Sequence, residues 1–188
     1  MIPFVQSTMT KLMIYVYLVI SVYSAINENG LGKAQAQDID TNGQTLTQTV
    51  KTNGQPVSQT ITTRGGALTQ TFDTYGGRVN QQIDTGIGAV TQTFRTYGGA
   101  IAQEINTSGG AMTQVFHTQG GPVAQTIYTQ GGALTQTIIT QGGIRSQTID
   151  TAGGVLSQTF DTIRGNQTQI IDTTGGPLSQ IIDINNLP

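Results

Sequence analysis

Hydrophobic and polar residues alternate along most of this chain within an 11-residue pattern, which repeats thirteen times between residues 43 and 185 without insertion or deletion. We number the positions of each copy from 1 to 11, so that position 1 of the first copy is Gly43. Position 4 is aliphatic in all but two copies, position 6 is always Gln, position 8 is Val, Ile or Phe, and position 10 is Thr in twelve copies. Because these four positions have the same parity, the pattern predicts a β-strand with one buried face in every copy.

Position 8 separates the copies into two alternating kinds. In the odd-numbered copies, the A strands, it is Val, Phe or Ile, and in the even-numbered copies, the B strands, it is always Ile. The true repeat is therefore 22 residues, which predicts a coil of two strands and two tight turns. Most turns carry Gly-Gly, which tolerates the backbone angles of a tight reversal. An 11-residue period can also indicate a right-handed helical supercoil, but each interior Gly would cost a helix about 1 kcal/mol.

These patterns predict an all-β protein, a two-layered β-solenoid of about 6.5 coils. If the two strands of a coil run antiparallel across a thin core, position 4 of one faces position 8 of the other. The Gln residues at position 6 then meet in the middle, where buried amides must be hydrogen-bonded. Identical side chains on stacked coils, about 4.7–4.8 Å apart, form such amide ladders. We therefore expect internal Gln ladders, and the absence of Cys excludes disulfides.

Residues 1–36 are predicted to be an export leader, a signal peptide with a short linker, and residues 37–188 to be the solenoid domain. Lys11 precedes an apolar run over residues 12–23, which is short for a membrane span. Cleavage near Ser24, cleavage after Ala36 and retention of the leader as an anchor all stay open. The expected location is secreted, outside the cell.

Composition argues against several classes of function. Charged residues make up 10% of the chain and the net charge is −2, so the basic stripe that nucleic acid requires is missing. Without Cys there is no thiol nucleophile and no Cys-based zinc site. His117, the single His, lies at an outward position with no nucleophile beside it. Rows of Asp on stacked coils lack the wrapped ligand set that Ca²⁺ prefers. We expect a non-enzymatic protein with no small-molecule substrate, cofactor or metal.

Thr residues are distributed unequally over the two outward faces. The A strands have fourteen outward sites at positions 5 and 7, of which ten are Thr, whereas four of the twelve on the B strands are Thr. The β-propensity of Thr would enrich both faces alike. We therefore expect a functional surface on the A strands, with sites about 6.6–6.8 Å apart along a strand and about 4.7–4.9 Å apart between coils. Its candidate residues are Thr47, Thr49, Thr69, Thr71, Thr91, Thr93, Thr113, Thr135, Thr137, Ser157 and Thr159.

This face resembles that of the hyperactive insect antifreeze proteins of the beetle type. The resemblance is carried by the pairs Thr47/Thr49, Thr69/Thr71, Thr91/Thr93 and Thr135/Thr137. It implies a regular array of hydroxyl and methyl groups that matches the ice lattice and orders water against it. This chain departs from the beetle proteins in its longer coils, its lack of disulfides and the presence of Val115, Ser157, Ser179 and Ile181 within the array. The resemblance implies a secreted ice-binding protein whose partner is ice or ordered water.

The chain also resembles the curlin subunits of bacterial extracellular fibres, through its 22-residue strand-turn-strand repeat, inward Gln and low charge. The Asn and Gly-x-Gly signatures of that family are missing. The ends of a solenoid are unpaired strand edges, which template further stacking unless they are capped. The alternative prediction is a structural protein, a fibre, matrix or adhesin subunit that associates with itself through open solenoid ends.

Overall fold

The structure is a computed structural model that describes residues 18–23 and 35–185. These residues form fifteen β-strands joined by short turns, as the period-2 alternation predicts. The strands are β1 Leu18–Tyr23, β2 Gln35–Asp40, β3 Leu46–Asn53, β4 Val57–Thr63, β5 Leu68–Tyr75, β6 Val79–Thr85, β7 Val90–Tyr97, β8 Ile101–Thr107, β9 Met112–Gln119, β10 Val123–Gln130, β11 Leu134–Gln141, β12 Ile144–Ala152, β13 Leu156–Ile163, β14 Asn166–Thr174 and β15 Leu178–Asn185.

The strands alternate between two parallel sheets. Sheet A holds the odd-numbered strands in the order β1-β3-β5-β7-β9-β11-β13-β15, and sheet B holds the even-numbered strands from β2 to β14. Neighbours in a sheet pair in a 22-residue register, as Leu46 with Leu68. The predicted two-layered solenoid of 22-residue coils is thus confirmed. It has about seven coils rather than 6.5, because β2 adds a strand before the first full copy of the pattern.

The first strand lies within the predicted leader, and the second spans the predicted boundary between leader and solenoid. Strand β1 pairs with β3, from Leu18 opposite Leu46 to Tyr23 opposite Lys51. Strand β2 begins at Gln35, two residues before the predicted start of the solenoid domain. The remaining parts of the predicted leader, residues 1–17 and 24–34, lie outside the described residues, and the leader stays a prediction.

Two hydrophobic clusters fill the space between the sheets. One cluster combines position 4 of the A strands with position 8 of the B strands, as in Leu46 and Ile61. The other combines position 8 of the A strands with position 4 of the B strands, as in Val50 and Val57. This is the antiparallel arrangement expected from the sequence. In the second cluster three Phe rings stack along the axis. The centroids of Phe72 and Phe94 are 4.8 Å apart, and those of Phe94 and Phe116 are 4.7 Å apart.

Between the two clusters runs the predicted Gln ladder, which is more extensively bonded than the sequence indicated. The Nε2 of Gln92 donates to Gln70 Oε1 in the same sheet at 2.9 Å and to Gln81 Oε1 across the core at 3.0 Å. Its own Oε1 accepts from Gln103 and Gln114 at 2.8 Å each. Each such amide donates two hydrogen bonds through its N–H groups and accepts two through its carbonyl oxygen. The ladder therefore joins the two sheets as well as the successive coils.

The turns bring consecutive coils into close backbone contact. A Cβ added at Gly99 would lie far inside contact distance of the Gly77 carbonyl oxygen one coil earlier. At its neighbour Gly98 the backbone has φ +76°, and nothing lies within 4 Å of an added Cβ. Position 2 of this turn is therefore Gly because a Cβ atom has no room there, and position 1 is Gly because its φ is positive.

We expect Gly99→Ala to lower the free energy of unfolding by about 1–3 kcal/mol, the usual cost of overpacking. The added methyl group would push two coils apart at the turn. The control is Gly98→Asn, because Asn tolerates a positive φ and the site is open. Chemical denaturation of both variants measures the difference. A Gly99→Ala variant as stable as Gly98→Asn would contradict the close approach of the coils.

Candidate functional site

The outward face of sheet A carries two parallel columns of Thr. The first column is formed by position 5 and the second by position 7, and uninterrupted parallel registers keep each column on one line across the sheet. The first column contains Thr47, Thr69, Thr91, Thr113, Thr135 and Ser157, and the second contains Thr49, Thr71, Thr93, Val115, Thr137 and Thr159. All eleven candidate residues named from the sequence thus lie on this surface, which we call the Thr face.

The two columns differ in their exposure to solvent. The Thr residues of the first column are exposed, whereas Thr49, Thr71, Thr93 and Thr137 of the second are half-buried. Thr159, near the last described coils, is again exposed. From β3 to β11 the first column is therefore more exposed than the second, and on β13 the order is reversed because Ser157 is half-buried. Strand geometry spaces these rows about 6.6–6.8 Å apart and successive coils about 4.7–4.9 Å apart.

Two substitutions interrupt the Thr face, and both retain its outline. Val115 stands between Thr93 and Thr137 in the second column and is half-buried like them. Val has nearly the shape of Thr, with a methyl group in place of the hydroxyl. Ser157 keeps the hydroxyl and lacks the methyl group. Beyond them, β15 contributes Ser179 and the exposed Ile181.

The layer beneath the Thr face holds it rigidly. Gln92 lies between Thr91 and Thr93 in sequence and points inward, where it makes four hydrogen bonds in the ladder. The next inward residue, Phe94, is fully buried between two stacked rings. Anchored inward residues fix the backbone, and the backbone fixes the direction of the short Thr side chains. The Thr positions are thereby ordered before any ligand is present.

At one edge of the Thr face, position 9 carries charged residues of alternating sign on β3, β5 and β7 and a His on β9. Lys51, Asp73, Arg95 and His117 lie on successive coils. Beside them the exposed rings of Tyr75 and Tyr97, which are paired in register on neighbouring strands, stack with their centroids 4.8 Å apart. Among the described residues, no three His, Asp or Glu side chains come close enough together to hold a metal ion. Nor do residues 18–23 and 35–185 form a helix of the length and apolarity needed to cross a membrane.

Comparisons with protein-family models, with curated proteins and with solved structures find no match to this chain. A function is therefore inferred from the geometry of the surfaces of the protein.

Sheet B presents a different outward face, as the unequal distribution of Thr predicts, and it carries a groove that the sequence did not lead us to expect. A groove of about 480 Å³ runs across several of its strands. Small residues such as Ala102 and Ala124 form part of its lining. Larger polar residues lie beside them, among them Thr60, Asn80, Gln82 and Glu104. Its signal in the sequence is the variation in side-chain size at positions 5 and 7 of the B strands. Sheet B therefore lacks the uniform rows of the Thr face.

Arg145 is the second feature whose importance the sequence did not indicate. It occupies position 4, where the three preceding coils of sheet B have Val79, Ile101 and Val123, and it is only 3% exposed. Its guanidinium group lies 4.4 Å from the centroid of the Phe160 ring. Burial lowers the pKa of Arg145 to about 9, so the side chain still carries a positive charge at neutral pH. A charged side chain thus lies inside the hydrophobic core.

Proposed function

We propose that this protein is a secreted ice-binding protein that inhibits ice growth or recrystallisation through the Thr face. The observation that supports the proposal is the alignment of Thr-x-Thr pairs on consecutive strands β3, β5 and β7 and again on β11. An ordered two-dimensional array of this kind places hydroxyl and methyl groups at the two regular spacings of a β-sheet. The apolar run in residues 12–23 after Lys11 supports export.

The physical basis of the proposed activity is the ordering of water before contact with ice. Thr hydroxyl groups hydrogen-bond to water, and the methyl groups beside them favour ordered water over disordered water at the surface. Because the Gln ladder and the stacked Phe rings hold the strands rigidly, the surface loses little conformational entropy when it binds. A short Thr side chain also has few rotamers to lose. These features favour binding to a flat, periodic solid.

A fibre or matrix subunit is the second candidate function, and the described edge of the solenoid at β15 favours it. Core positions there are partly open, with Leu178 45%, Ile182 49% and Ile184 44% exposed. Strands β2 to β15 make up complete coils, with seven strands in each sheet. If β1 were removed with a leader, β3 and β2 would form the first edges of the two sheets. Strand β15 of one copy could then pair with β3 of the next copy, and β14 could pair with β2. Unpaired strand edges of this kind template further pairing.

One comparison distinguishes the two functions. We expect the purified protein to elute as a monomer in size-exclusion chromatography and to show thermal hysteresis and inhibited ice recrystallisation. The fibre function instead predicts filaments that bind thioflavin and that seed further growth without denaturant. Filament growth together with a freezing point equal to the melting point would overturn the ice-binding proposal and support the fibre function.

A further inference from the structure

The buried guanidinium group of Arg145 has incomplete hydrogen bonding. Its Nη2 donates to Gln147 Oε1 at 3.2 Å. Among the described residues, its Nε and Nη1 have no hydrogen-bond partner, although both atoms are buried. The ring of Phe160 faces the charge and stabilises it in part. A buried charge ordinarily requires a counter-charge as well as hydrogen bonds. Two nitrogens, with three N–H groups between them, and one positive charge therefore remain to be satisfied.

Within residues 18–23 and 35–185, Arg145 forms no ion pair with a carboxylate. Asp150, the acidic residue on the same strand, lies at an outward position and is exposed. The neighbour of Arg145 on the next coil is Gln167, whose Oε1 is also buried without a partner. Even if this amide turned toward the guanidinium group, a neutral carbonyl oxygen would not balance the charge. A small external anion would supply the missing negative charge and accept a hydrogen bond from one of the unpartnered nitrogens.

A cavity of about 10 Å³ adjoins Arg145. Its lining includes Gly121, Val123, Thr140, Ile144, Arg145 and Asn166. A volume of this size holds one particle about as large as a water molecule. Sulfate, phosphate and carboxylate groups are therefore too large, whereas a monatomic anion is of the appropriate size.

We propose that Arg145 and this cavity form a binding site for a small monovalent anion of the halide class. The anion accepts a hydrogen bond from one of the two unpartnered nitrogens, Nε or Nη1, and neutralises the charge within the core. The site lies where the column of aliphatic residues at position 4 of sheet B ends, between Val123 and Gln167. The bound anion therefore stabilises the coils that contain β12 and β14. The inference is independent of the proposed ice-binding function, because the site lies inside the solenoid and away from the Thr face.

The experiment compares thermal unfolding of the full chain in sodium chloride, in sodium bromide and in sodium gluconate at equal ionic strength. Gluconate is too large for the cavity. We expect halide to raise the unfolding midpoint by about 5–10 °C at a concentration a hundredfold above its dissociation constant. Chlorine-35 NMR supplies a second readout, since chloride exchanging with the site broadens the resonance and bromide reverses the broadening. The same midpoint in all three salts, with no broadening, would overturn the proposal.

Arg145→Leu restores the aliphatic column and removes the charge, so this variant should fold and should lose both the halide-dependent midpoint and the broadening. Arg145→Met tests the same loss with a side chain that adapts to the space. The matched control is Arg78→Leu, because Arg78 is exposed in a turn, and this variant should keep the full halide effect. Equal halide effects in the native chain and in the Arg145 variants would place the anion elsewhere and refute the assignment.

Discussion

Replacing Thr91 and Thr93 together by Tyr is expected to remove most of the ice-growth inhibition while the solenoid stays folded. Both side chains point outward near the middle of the Thr face, so stability should change little, since surface substitutions usually cost within about 0.5 kcal/mol. The two rings would nevertheless stand above the rows of Thr and hold several coils away from a flat surface. Thermal hysteresis, measured beside a circular dichroism melt, separates loss of activity from loss of fold.

The matched control replaces Ala102 and Glu104 by Tyr. These residues occupy the same repeat positions on sheet B, where they line the groove. Because the groove lacks uniform rows of Thr, we expect this double variant to keep nearly all of the activity. Equal losses in the two double variants would mean that the Thr face has no special role in binding ice.

Replacing Gln114 by Leu is expected to destabilise the protein strongly. The Gln114 amide donates to Gln92 and Gln103 and accepts from Gln125 and Gln136. The substitution removes these four hydrogen bonds and leaves four buried polar groups each short of one partner. At about 1 kcal/mol for each lost bond, the free energy of unfolding should fall by about 4 kcal/mol. Denaturant titration measures this change.

The control for this prediction is Gln82→Leu, which changes an exposed Gln on the outer side of sheet B. Its side chain belongs to the groove rather than to the ladder. We expect a change within about 0.5 kcal/mol. If Gln114→Leu were as stable as Gln82→Leu, the ladder would contribute nothing to stability, and the account of the core would be wrong.

The repeat allowed most of this fold to be predicted from the sequence. An unbroken 22-residue period fixes the register of every strand pair, and period-2 alternation fixes which side chains point inward. The pairing of positions 4 and 8 across the core followed from the same pattern. The alignment of the Thr columns followed as well, because stacked coils place equal positions side by side.

The remaining features depend on distances that a repeat does not encode. Whether each Gln bonds along its own sheet or across the core depends on core thickness, and the structure has both kinds of bond. The groove on sheet B arises from the combined sizes of several outward side chains. Arg145 was apparent only as an exception to position 4, because burial and the approach of Phe160 are properties of the packed core.

The most direct test of the central claim is to grow a single ice crystal from a dilute solution of the fluorescently labelled protein. The account predicts that the native chain is taken up into the growing ice, because the Thr face adsorbs to the crystal. It also predicts that the variant with Tyr at positions 91 and 93 stays in the liquid. If the growing ice excluded the native chain as completely as it excludes this variant, the claim that the Thr face binds ice would be wrong.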